Sequence, residues 1–90
     1  MINTNFSYNC GIDIQHLQTL LEGNDKFTVS FDPSRYPGLN IKFRNSIDNK
    51  VTSVLFFSTG NVVITGVKKF KYISEAFVEL TDIVYKNFNN

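Results

Sequence analysis

The sequence predicts a single α+β domain in which antiparallel strands form one sheet and two amphipathic helices cover one of its faces. Two stretches, 13–22 and 68–88, repeat apolar residues at helical spacing, and the segments between them alternate apolar and polar residues at period two. The chain's 90 residues, 42% hydrophobic with nine Phe and four Tyr, supply one modest core and no more.

Each element follows from its own pattern. "INTNFSYN" at 2–9 reads as a strand. In "GIDIQHLQTLLEG" the residues Ile14, Leu17, Leu20 and Leu21 share one helical face, with Asp13 as N-cap and Gly23 as the stop. "KFTVSF" alternates Phe27, Val29 and Phe31 and is a short strand ended by Asp32-Pro33. "NIKFRN" at 40–45 puts Ile41 and Phe43 on one face and Asn40, Lys42 and Arg44 on the other, the alternation of a half-buried strand. A turn at 47–50 leads to a hairpin of "TSVLFFS" and "NVVIT", joined around Thr59-Gly60-Asn61. The final helix carries Phe70, Ile73, Ala76, Phe77, Leu80, Val84 and Phe88 on one stripe.

Composition excludes several function classes. No apolar run approaches the roughly 20 residues needed to span a bilayer, and the N-terminus lacks the charged-then-apolar order of a signal peptide, so a soluble, intracellular chain without a membrane partner is expected. Cys10 and His16 are the only residues of their kinds, which leaves no disulfide, no metal site and no cofactor to expect. Cys10 reads as a small packing residue and His16 as an exposed helix residue. No Ser/His/Asp or Cys/His set is spaced for nucleophilic attack, and no glycine-rich loop opens a helix, so the chain is expected not to be an enzyme. The acids Asp25, Asp32, Asp48, Glu75, Glu79 and Asp82 read as turn and helix-surface residues.

The hairpin holds an anomaly. If Val54, Phe56, Val62 and Ile64 face the helices, the opposite face carries Ser53, Leu55, Phe57, Val63 and Thr65, apolar where an exposed sheet is ordinarily polar. Either a second protein layer covers that face, or a long and flat ligand does. Lys42 and Arg44 border the patch with positive charge, which suits a polyanion with apolar groove walls.

"FDPSRYPGLNIKF", then "VLFFSTGNVVITGVK", then a long helix containing "EAF" resembles one repeat of the TATA-box-binding protein family, and the match spans nearly the whole chain. The resemblance implies that residues 1–90 are a single repeat, a half-saddle: a curved antiparallel sheet with two helices on its convex face and a concave face that meets double-stranded DNA. It implies binding to the AT-rich minor groove, with aromatic wedges that unstack base steps and bend the duplex, in transcription initiation. The wedge positions fall on Tyr36, followed by Pro37, and on Phe57. Phosphate contacts fall on Lys42 and Lys68, and groove contacts on Leu55, Val63 and Thr65. The two prolines around Tyr36 fit this role, because a pre-positioned wedge adds no ordering entropy to the unstacking of a base step.

Departures from the family pattern matter as well. Tyr36 stands where the family has Phe, and its hydroxyl needs a partner when wedged. The family's Asn on the first strand aligns without gaps to Thr4, and a shift of one residue offers Asn3 or Asn5. The turn before the hairpin is about four residues longer than the family's. Of the acidic residues that contact transcription factor IIB, only Asp32 remains, with Ser34 in place of the second, so that partnership is weakened. A single repeat implies a homodimer or pairing with a second repeat. Eleven Asn point to an AT-rich coding sequence, as in large DNA viruses and protists, and hence to the nucleus or to a viral factory in the cytoplasm. The alternative is an accessory or interaction domain of a nucleic-acid enzyme that uses the same fold without TATA recognition.

Overall fold

Period-two alternation lays down five strands, and two stretches with apolar residues three and four apart coil into helices. In chain order these are β1 (Ile2–Ser7), α1 (Ile14–Glu22), β2 (Phe27–Ser30), β3 (Leu39–Arg44), β4 (Val51–Phe56), β5 (Asn61–Val67) and α2 (Phe70–Phe88). The computed structural model describes residues 2–8, 10–32, 34–35, 37–45, 49–67 and 69–88, with Ile2, Gly66 and Val67 described in their backbone alone. Tyr36, Lys68 and residues 47 and 48 of the turn expected at 47–50 lie outside the described residues.

The strands form one open antiparallel sheet in the order β1-β5-β4-β3-β2. Its central strands bury every second side chain on one face: Leu39, Ile41 and Phe43, Val54 and Phe56, and Val62 and Ile64. Ile14, Leu17 and Leu21 of α1, and Ile73, Ala76, Leu80 and Val84 of α2, close over the same face. This is the α+β half-saddle that the sequence predicts, with one face covered and the other left open.

Local chemistry sets where elements start and stop. The Asp13 carboxylate accepts from the His16 amide at 3.2 Å and opens α1. At the other end Gly23 donates its N–H to the Leu21 carbonyl at φ −82°, so glycine is not required there for its conformational freedom. Gly60 is a different case. It has φ +90°, and a Cβ on it would sit 2.3 Å from the Cys10 carbonyl oxygen. The segment between β1 and α1 lies against this turn, with Tyr8 donating to the Gly60 carbonyl at 3.0 Å and Ile12 to the Ser58 carbonyl at 2.8 Å. Cys10 therefore packs through its backbone; its side chain is exposed, contrary to the expectation of a packing residue. His16 is exposed as expected and meets the Phe88 ring edge-on at 5.0 Å.

The stripe on α2 differs from the sequence reading. Phe70 is 68% exposed and Phe77 41%, and Tyr72 is buried instead. Ile73, Ala76, Leu80 and Val84 define the buried line, and Phe77, one residue past Ala76, is rotated about 100° onto the flank. There its ring meets Phe6 of edge strand β1 at 4.9 Å. At the same corner Tyr8 stacks on Phe56 at 5.8 Å, and its hydroxyl and the Thr81 hydroxyl share a hydrogen bond of 2.9 Å. Across the helix, Lys26 joins Glu79 at 3.0 Å.

Burial pushes the Tyr8 phenol above its usual 10.0; the bond to Thr81 opposes this and the neighbouring Tyr85 adds to it. Because the folded-state pKa is the higher one, the unfolded chain loses this proton first as pH rises. Tyr8's contribution is complete below pH 10 and drains away as pH climbs through the folded value. Tyr8→Phe is expected to lower stability by about 1 kcal/mol at neutral pH and to flatten the alkaline decline, as read by denaturant titrations on either side of pH 10.

Candidate nucleic-acid interface

The side chains that do not face the helices form rows across the open face, set by strand register. One row runs Ser30, Asn40, Leu55, Val63, Asn5 through β2, β3, β4, β5 and β1. The next runs Thr28, Lys42, Ser53, Thr65, and Asn3 adjoins its end, where the Thr65 hydroxyl donates to the Asn3 side-chain oxygen at 2.6 Å. Leu55, Val63, Thr65 and Phe57 are half-buried although no element covers them. The apolar stripe expected opposite the core is thus real and continuous across β4 and β5.

Phe57 stands just beyond β4, at the first position of the turn. Its N–H donates to the Asn61 carbonyl at 2.9 Å and its carbonyl accepts from Gly60 at 2.9 Å, so backbone bonds on both sides hold it. Phe57 and Pro37 line the same open hollow of about 690 Å³, together with Val63, Asn5 and Asn61. The structure therefore brings together Pro37, Leu55, Phe57, Val63 and Thr65 of the sequence-predicted site. Of Asp32 and Ser34, the first is engaged locally: its carboxylate accepts from the Ser34 hydroxyl at 2.6 Å and from the Ser34 amide at 3.3 Å.

Among the described strand residues, charge on the open face has one sign. No strand contains Asp or Glu, and β3 presents Lys42 and Arg44, both exposed. Among the described residues neither is in a salt bridge; the Lys42 ammonium donates to the Ser53 hydroxyl at 2.7 Å, which lays its stem along the sheet. The positive border therefore runs along one side of the apolar stripe, and the amides of β1 along the other.

Register also separates the three first-strand candidates by face. Thr4 pairs with Ile64 and is half-buried on the covered side, whereas Asn3 and Asn5 are exposed on the open face. Asn5, offered by the sequence only as an alternative to Thr4 and Asn3, and Asn40, given no role there, bracket Leu55 and Val63 in one row. For Asn40 the signal is present in the alternation of "NIKFRN"; for Asn5 it requires the register.

The unit has two layers, and among the described residues its sheet leaves one apolar, acid-free face uncovered between a cationic and an amide border. Residues 2–87 match the family model of Transcription factor TFIID (or TATA-binding protein, TBP), and the chain belongs to that family of DNA-binding proteins. Comparison with individual curated proteins returns no match. Among the described residues no group of His, Cys, Asp and Glu is placed to hold a metal ion, and no helix is long and apolar enough to cross a membrane.

Neighbouring aromatics on opposite faces give a direct check of the face assignment. Phe56→Ala empties a fully buried position and is expected to destabilise by about 3–5 kcal/mol. Phe57→Ala removes a half-buried ring from the open face and is expected to shift the melting temperature far less. Thermal melts of the two variants that rank them the other way would invert the face assignment.

Proposed function

We propose that this chain binds the minor groove of AT-rich duplex DNA through the open face of its sheet and bends the duplex, acting in transcription initiation. The observation that carries the reading is an uncovered apolar stripe, free of acids and bordered by Lys42 and Arg44, in a chain of the TBP family. The minor groove of A·T pairs offers only acceptors on its floor, so Leu55 and Val63 can lie against it without stranding a base donor. Phe57, held from both sides, and Tyr36, beside Pro37, are the wedges. Lys42, Arg44 and Lys68 meet phosphates. The role is binding, with no reaction catalysed.

A half-saddle covers half of such a site, and two copies complete it. β1 is an edge strand, paired on one side with β5 and open on the other, which supports pairing with the β1 of a second copy. Transcription factor IIB, docking at the turn, would meet a single carboxylate, Asp32, already engaged by Ser34. The chain works where promoter DNA is transcribed, in a nucleus or a viral factory.

Light scattering is expected to show a dimer on DNA, and affinity is expected to fall with salt at a log–log slope of about −3 per copy and about −5 for the dimer, given three cations a copy. A slope near ten contradicts the assignment. Energy transfer across an end-labelled AT-rich duplex tests bending directly: wild type brings the ends together and Phe57→Ala does not. If Phe57→Ala bends DNA as wild type does, the hairpin does not meet DNA and an accessory-domain role takes its place.

A further inference from the structure

Asn40 occupies the open face in the same row as Leu55, Val63 and Asn5, separated from Asn5 by three strand spacings, or about 14 Å. It is exposed, and its side chain makes no hydrogen bond among the described residues. Lys42, the next residue on its face, has its ammonium drawn to Ser53, so the Asn40 amide stands clear of that charge. At about 3.4 Å per base step, the span from Asn40 to Asn5 covers about four steps of a duplex lying across the strands.

The chemistry of the row is uneven. On the minor-groove floor A·T and T·A pairs show acceptors alone, and a G·C pair adds the guanine N2 amine, a donor. Under Leu55 and Val63 that amine loses its water and gains no acceptor. Under Asn40 the side-chain NH₂ donates to adenine N3 or thymine O2, and the side-chain oxygen accepts from guanine N2. We propose that Asn40 reads a base edge and admits a G·C pair at its own position, beside positions that Leu55 and Val63 restrict to A·T. This rests on the minor-groove reading given above and adds a specificity that a wholly apolar row does not have.

The probe is a set of AT-rich duplexes in which each base pair in turn is replaced by G·C or by inosine·C, which differ in the minor groove by the N2 amine alone. The readout is the affinity ratio of the two duplexes at each position, measured within one protein. For wild type the ratio is expected to favour inosine about tenfold at the positions under Leu55 and Val63 and to be near unity at the position under Asn40. In Asn40→Leu the ratio there rises to about tenfold, and in Asn40→Thr, which keeps an acceptor, it stays near unity. A tenfold ratio at every wild-type position, or a ratio unmoved by Asn40→Leu, overturns the role of Asn40 while leaving minor-groove binding in place. Ratios of unity throughout, or no binding to any duplex, overturn the minor-groove reading and this assignment with it.

Discussion

Register between β4 and its neighbours is the constraint on which the rest depends. Val54 lies between Ile41 and Ile64, and Phe56 between Leu39 and Val62, so every core side chain of the central strands meets its partner on the helix side. A slip of one residue would exchange Phe56 for Phe57 and Val54 for Leu55. In most half-buried sheets the polar face forbids such a slip. Here the open face of β4 and β5 is itself apolar, and the pattern of hydrophobic residues discriminates weakly between the two phases. The turn supplies what the pattern does not: Gly60 at φ +90°, closed against the Cys10 carbonyl, and Ser58 accepting from Ile12 fix where the hairpin reverses.

The same register builds the open face. Because side chains alternate, fixing Phe56 in the core fixes Phe57 on the other side, and fixing Ile41 exposes Asn40 and Lys42. Core and site are therefore two readings of one pairing scheme. Neither α1 nor α2 reaches the open face, which frees their outer surfaces from any part in it. The helices close over one face of the sheet and leave the other uncovered.

Much of the fold is legible in local spacing. Asp13 as a cap, the two helices, the five strands and the face opposite the core all follow from it, because capping and alternation act within a few residues. What local spacing misses has a non-local cause. Its stripe along α2 includes Phe77, but only the edge position of β1 leaves that flank of the helix without a second layer to bury it. Cys10 is a packing residue by its type, and the tight approach of its carbonyl to Gly60 turns its side chain outward.

By itself the sequence determined the element types, the two-faced character of the hairpin and the cations that border it, since each depends on residues near one another in the chain. The tertiary structure alone decided which residues stand side by side across strands. That Asn5 and Asn40 share a row with Val63 and Leu55, and that Thr4 turns away from it, depends on pairings between segments far apart in the chain, with 62 residues separating Asn3 from Thr65. Such contacts are set by the packing of the whole sheet beneath its helices, and a single strand carries no record of its neighbour's register.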